Sequence, residues 1–235
     1  MKNKYLALGD SIVEGYKLQG KSFVYYLSKD FDIANRGMNG LSSNLLKYYR
    51  GDLKPFTHVI VHIGINDFLQ GYENAQVEKS IMELVDIFKS EDLKIIFLKP
   101  VIIAQEACDY NWCSKTYYPL IKERLINYRK FLDKLGEEED FQIIDLMDTT
   151  GIDVYDNLMD GIHPNLKLSK AMGKYIGTKL LQEVWNGKFC QENQTKKIIK
   201  KRESTFDSFS INFNSVYPIF FYNQSQKNCL WQFSK

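Results

Sequence analysis

Five short apolar runs separated by helical patterns constrain this chain more than any other feature. The runs are Tyr5–Leu8, Phe31–Ala34, His58–Ile63, Leu93–Leu98 and Phe141–Leu146. Each has the length of a strand, and most lack the in–out alternation of a strand with one wet face. Such runs suit strands covered on both sides, as in a parallel sheet. Between them, Ser22 can cap a short helix that carries Phe23, Tyr26 and Leu27. Val77, Ile81, Leu84, Val85 and Phe88 fall on one helix face. Ile121, Leu125, Tyr128, Leu132 and Leu135 repeat the pattern, and Gly136 is the expected stop. A last helix is expected from about Leu166 to Trp185, with Leu168, Met172, Tyr175 and Ile176 inward. Alternating strands and helices predict an α/β fold on a parallel sheet.

Composition narrows the function classes. A chain of 235 residues is one domain with a possible extension, or at most two small ones. Lys and Arg number 31 against 29 Asp and Glu, a net charge of +2, which argues against a nucleic-acid partner. No window approaches ~18 uninterrupted apolar residues, so stable membrane insertion is not expected. Tyr5–Leu8 is also shorter than the ~7–15 apolar residues of a secretion signal. Cys108, Cys113, Cys190 and Cys229 match no zinc spacing, and the three histidines lie elsewhere, so no metal site is expected. A Cys108–Cys113 disulfide is geometrically conceivable, but four reduced thiols in a cytoplasmic protein is the plainer reading. Residues 1–187 are read as the α/β domain and 188–235 as a separate tail. From Gln191 onward the chain has seven Lys/Arg against three Asp/Glu, and nine aromatics fall between Phe206 and Phe233. The tail has no clean periodicity, and no structure is assigned to it.

Four segments carry the chemistry, three at strand ends and one before the last helix. They are Gly9-Asp10-Ser11-Ile12-Val13-Glu14-Gly15, Asn35-Arg36-Gly37, Gly64-Ile65-Asn66-Asp67 and Asp160-Gly161-Ile162-His163-Pro164. In an open parallel sheet, ligands bind beyond the carboxyl ends of the strands, where strand order reverses. With the order 2-1-3-4-5, Ser11, Gly37 and Asn66 follow three neighbouring strand ends. Taken singly, each has an ordinary explanation: Ser11 as a helix cap, Gly37 as a turn glycine, Asn66-Asp67 as a loop. Together they form a hydrolytic set. A serine hydroxyl needs an adjacent base to act as a nucleophile. His163 sits in a turn-like segment, whereas His58 and His62 lie inside the third strand on one face and read as core. Asp160 is close enough in sequence to hold one imidazole nitrogen. The amides of Ser11 and Gly37 and the Asn66 carboxamide are expected to bind the oxyanion.

These blocks resemble the SGNH (GDSL) hydrolase family, with Ser11, Gly37, Asn66 and His163 in the family's order across about residues 4–185. The resemblance implies a flavodoxin-like three-layer α/β/α sandwich with a five-stranded sheet. It implies cofactor-free and metal-free hydrolysis of an ester or thioester. It also implies Ser11 as nucleophile, His163 as base, Asp160 as its orienter, and Asp10 and Asp67 as structural supports. The tail is a departure from compact members of that family.

Substrate is less legible. Val101–Tyr118 carries Tyr110, Trp112, Tyr117 and Tyr118, and Phe68 and Tyr16 adjoin the Asn66 and Ser11 motifs. Trp112 and Phe68 are expected as candidate substrate contacts, with lid packing as the alternative. Arg36 is a candidate for an anionic group, with a plain surface role as its alternative. The leading expectation is hydrolysis of a small-molecule ester with a short acyl chain, such as a carbohydrate O-acetyl ester. A thioesterase, a lysophospholipase, an acyltransferase on the same residues, or a non-catalytic binding domain are the alternatives. No P-loop or dinucleotide fingerprint is present.

Overall fold

A computed structural model describes residues 3–182 except positions 50 and 150. These residues fall within a unit that ends at Asn186. The expectations for the tail, Cys190 and Cys229 lie outside the described residues.

Five parallel strands form one sheet: β1 (Tyr5–Gly9), β2 (Ile33–Gly37), β3 (His58–His62), β4 (Lys94–Lys99) and β5 (Gln142–Asp145). Their order is β2-β1-β3-β4-β5. All five residues of β1 and of β3 are buried, as continuous apolar runs require. The second strand lies further along than its apolar residues suggest. It runs through Asn35, Arg36 and Gly37 themselves, because Leu8 and Gly9 of β1 pair with Arg36 and Gly37.

Helices α1 (Ser11–Glu14), α2 (Phe23–Leu27), α3 (Ser43–Leu46), α4 (Ile65–Leu69), α5 (Asn74–Ser90) and α6 (Tyr118–Glu139) follow in chain order. A seventh, α7, occupies 166–182. Crossovers between parallel strands are right-handed. The chain steps one way from β1 to β2 and the other way from β3 through β4 to β5. The connecting helices therefore cover opposite faces, giving three α/β/α layers. On one face α5 packs on α6. On the other, Gly173 of α7 faces the Phe23 carbonyl of α2, and Gly177 faces Leu27 and Phe31. Val77, Ile81, Leu84, Val85 and Phe88 of α5, and Ile121, Leu125, Tyr128, Leu132 and Leu135 of α6, are buried as their spacing predicts.

Gly136 does not end α6. The helix continues to Glu139 and closes on Asp140 at φ 55°. A Cβ at Gly136 would lie 2.4 Å from Ile143 Cγ1, so this glycine serves close packing on β5. Tyr175, expected inward, is half-buried, whereas Leu168, Met172 and Ile176 are fully buried.

Candidate active site

The sheet delivers the serine first. A Cβ at Gly9 would lie 2.0 Å from the His62 carbonyl oxygen, so only glycine lets β1 leave the sheet here, at φ 155°. Asp10 then caps α1, its Oδ1 accepting from the Ile12 amide at 3.0 Å. Ser11 is the first residue of that helix and is nearly buried. Its Oγ stands 2.9 Å from His163 Nε2.

His163 lies on the irregular stretch between β5 and α7. Asp160 shapes this stretch, because its Oδ1 accepts from the backbone amides of His163 at 2.9 Å and Ile162 at 3.3 Å. Both Asp160 oxygens also lie 2.9 Å from His163 Nδ1. A carboxylate accepts only, so Nδ1 carries the hydrogen and Nε2 presents its lone pair to Ser11. Burial pushes the Asp160 carboxyl up, but the His163 amide, the His163 imidazole and the Ile162 amide outweigh it and hold it below the ordinary range. Lys17 Nζ, half-exposed, stands 3.6 Å from Asp160 Oδ2.

Two rings flank the imidazole, Tyr16 at 4.6 Å and Trp112 at 5.3 Å between centroids. Trp112 comes from the segment after β4, which is fastened to the histidine segment. The Ala104 amide donates to Gly161 O at 2.8 Å, and a Cβ on Gly161 would lie 2.3 Å from the Ala107 nitrogen. Tyr110 and Tyr117 of the same segment are exposed, and the Tyr118 hydroxyl donates to Ile103 O.

Asn66 sits in α4, directly past β3. Its Nδ2 donates to Leu41 O at 3.0 Å, which fixes the carboxamide and leaves a second N–H for the cleft. Asp67 turns away and accepts from the Ser43 amide and hydroxyl at 2.6–3.0 Å. Burial pushes the Asp67 carboxyl up, and these bonds oppose the rise. Asp67 thereby ties α4 to α3.

Ser11, Asn66 and His163 line one cleft of about 280 Å³ with Tyr16, Trp112, Asn39 and Gly40. Ile12, Ile65, Leu69 and Ile162 supply its apolar wall.

Three expected site residues fall elsewhere. The Gly37 amide donates to Asn35 Oδ1 at 2.8 Å, and a Cβ at Gly37 would meet the Glu14 nitrogen at 2.2 Å. This glycine serves the contact of β2 with α1 and does not line the cleft. The glycine of this block that reaches the cleft is Gly40, at φ 70° with open space around its Cβ position. The signal for it was in the sequence as Asn39-Gly40, a turn dipeptide three residues on. Phe68 is 1 % exposed and packs edge-on against Tyr128, so it belongs to the core. Arg36 is exposed and donates to Asn35 O at 3.2 Å, so it belongs to the surface. His58 and His62 are both buried in β3.

Among the described residues, no group of three or more His, Cys, Asp or Glu side chains could hold a metal ion. No described helix is long and apolar enough to cross a membrane. Cys108 and Cys113 are free thiols with sulfurs 3.7 Å apart.

Comparison with known proteins agrees with this fold. The fold matches a GDSL-like lipase from Bacteroides thetaiotaomicron at TM-score 0.62 and 14 % identity, over 77 % of this chain and 89 % of that one. It matches a member of the lipolytic G-D-S-L family from Veillonella parvula at 0.57 and 20 %, over 73 % and 94 %. It also matches an acetylxylan esterase from Geobacillus stearothermophilus at 0.59 and 17 %, over 75 % and 94 %. At these identities the likeness is one of fold. Among curated proteins, none matches the sequence. The model of the GDSL-like lipase/acylhydrolase family matches residues 7–171, which span every block described above. This chain therefore belongs to the GDSL-like lipase/acylhydrolase family of hydrolases.

Proposed function

We propose that this hydrolase cleaves short-chain acyl esters, O-acetyl esters of carbohydrates foremost, through an acyl-enzyme on Ser11. The observation that carries the reading is the Ser11 Oγ···His163 Nε2 contact of 2.9 Å, backed by Asp160 on Nδ1. In this mechanism Ser11 Oγ attacks the ester carbonyl carbon while its proton passes to Nε2. Asp160 stabilises the resulting imidazolium and keeps the ring in register. The carbonyl oxygen becomes an oxyanion held by the Ser11 amide, the free Asn66 N–H and the Gly40 amide. Collapse of the intermediate breaks the C–O bond, and Nε2 returns its proton to the departing alcohol. Water then repeats the sequence on the acyl-enzyme, releasing the acid and restoring Ser11.

Cleft size and walls support a small acyl group. About 280 Å³ lies just below the ~300–1,000 Å³ of pockets for drug-sized ligands, and four aliphatic side chains bound it. Tyr16 and Trp112 at the cleft offer faces on which a sugar ring can stack. The fold shared with an acetylxylan esterase is in keeping with such a substrate. Two free thiols side by side suit a reducing, cytoplasmic setting.

The test is turnover of p-nitrophenyl esters from acetyl to palmitoyl, acetylated xylo-oligosaccharides and acyl thioesters. A fluorophosphonate label runs in parallel. Acetyl esters are expected to give the highest kcat/KM. The label is expected on wild-type protein and absent from Ser11→Ala. Unlabelled wild-type protein, or a Ser11→Ala variant with normal turnover, would overturn the mechanism. A preference for long chains or thioesters would overturn the substrate reading alone.

A further inference from the structure

β3 reads His58-Val-Ile-Val-His62, and every residue is buried. An imidazole in such a strand is costly unless a partner compensates it. His62 is 0 % exposed, and its Nε2 has no hydrogen-bond partner. Its Nδ1 lies 3.1 Å from Asp10 Oδ1. Asp10 is equally buried, and its Oδ2 is likewise without a partner. Everything that compensates the Asp10 carboxylate therefore acts on Oδ1: the Ile12 amide at 3.0 Å and His62 Nδ1.

This pair stands directly behind the nucleophile. His62 is the last residue of β3 and is in register with Gly9, the last residue of β1. Asp10 follows Gly9 and caps the helix whose first residue is Ser11. We propose that His62 is a positioning residue for Ser11: its Nδ1–H anchors the Asp10 carboxylate, and Asp10 in turn anchors the first turn of α1. The proposal rests on Ser11 being the nucleophile. His62 touches no substrate, and it does not line the cleft. His58, at the opposite end of the strand, has a separate environment. Its Nδ1 meets Thr57 Oγ1 at 2.7 Å and its ring lies against Tyr5.

The consequence is geometric. Without the His62 donor, a buried carboxylate retains one amide and turns toward other partners, carrying the α1 cap with it. Displacements of ~1 Å in a reacting group can cost about 10²-fold in rate. The effect belongs in kcat, because the Ser11–His163 alignment is used in the chemical step, whereas Ile65, Leu69, Trp112 and Ile162 line the cleft from outside α1.

The experiment compares His62→Asn with His62→Gln. Asparagine can place an N–H near the Nδ1 position, whereas glutamine carries its N–H toward the Nε2 position. On p-nitrophenyl acetate, His62→Gln is expected to lose at least about tenfold in kcat with KM within about twofold. His62→Asn is expected to keep at least about a third of wild-type kcat, and fluorophosphonate labelling rates should follow the same order. Equal kcat in the two variants, whether high or low, overturns the proposal. A second readout needs no variant to fold well. In wild-type protein with ¹⁵N-labelled histidine, the His62 imidazole must carry its proton on Nδ1. An Nε2–H tautomer overturns the proposal. If wild-type protein turns over no ester and resists the label, the reading of Ser11 fails instead, and the tautomer still decides the His62–Asp10 link.

Discussion

His58 makes the fold sensitive to mild acid. It is 5 % exposed, at the start of β3, against the Tyr5 ring and beside Lys94, its register partner in β4. Burial, and then the Lys94 charge, push its imidazole down from 6.5 to about 4. In the unfolded chain it titrates near ~6.5. Below that pH the unfolded state binds a proton that the folded state refuses, so stability falls as pH falls. The loss begins near the unfolded value and ends near the folded one. At 1.36 kcal/mol per unit, the whole shift amounts to about 3 kcal/mol. The same linkage predicts a loss of about 1 kcal/mol by about pH 5.5 and most of the whole amount by about pH 4.5. Against the ~5–15 kcal/mol typical of a domain, this is a large fraction. The assay is urea unfolding of wild type and His58→Gln at about pH 7.5, 5.5 and 4.5. Glutamine does not titrate, so any fixed cost of losing the ring contact cancels when each protein is referred to its own value at about pH 7.5. The depressed Asp160 carboxyl acts in the lower window: its contribution is full above the unfolded carboxylate value and is lost as pH falls through the folded one. Asp160 is common to both proteins, so the difference between them isolates His58. Wild-type and variant stabilities that decline in parallel would refute the reasoning, as would an NMR titration placing His58 near 6.5.

The other predictions concern the cleft and its surroundings. Asn66→Ala should lower kcat on p-nitrophenyl acetate by about 10²–10³ with little change in KM, since it removes a transition-state donor. A raised KM with unchanged kcat would make Asn66 a substrate-binding residue. Phe68→Ala should cost about 3–5 kcal/mol in urea unfolding and leave the acyl-chain preference as it was, because it opens a cavity against Tyr128 rather than in the cleft. Arg36→Ala should leave kcat/KM within about twofold on neutral and anionic esters alike; a selective loss on anionic esters would restore it to the site.

The grouping of Ser11, His163 and Asp160 was legible because its signals are local and chemical. Ser11 follows Gly-Asp at a strand end, and His163 follows Asp160 at a spacing that lets one carboxylate bond both the backbone and the ring. The sheet order 2-1-3-4-5 did not follow from the blocks: it was the order under which the strand ends before Ser11, Gly37 and Asn66 become neighbours, and it is the order observed. The glycine that reaches the cleft was not legible from the Asn-Arg-Gly block. Gly37 and Gly40 are both plausible turn glycines, and the choice depends on where the chain goes after β2. Met38 donates its amide to Gly9 O and so continues the ladder past Gly37. Only then does the chain turn, with Leu41 N–H on Met38 O, and bring Gly40 to the cleft.

Phe68 and Trp112 show the same division. Both are aromatic and both lie close to motif residues in the sequence or the fold. Phe68 lies two residues past Asn66 on a short helix, where ~100° per residue decides whether a ring faces the cleft or the core. The packing of α4 on α6 turns it inward. Trp112 lies about fifty residues from His163 in sequence, and the ties of Ala104 and Ala107 to Gly161 bring it to the imidazole. Periodicity and motif chemistry are properties of neighbours along the chain, so the sequence alone determined the α/β alternation, the motif blocks at the strand ends and the pairing of Asp160 with His163. Which glycine and which aromatic ring reach the cleft, and which of two buried histidines meets Asp10, are matters of distance between segments far apart in the chain, and those were decided only when the sheet formed and the helices packed across it.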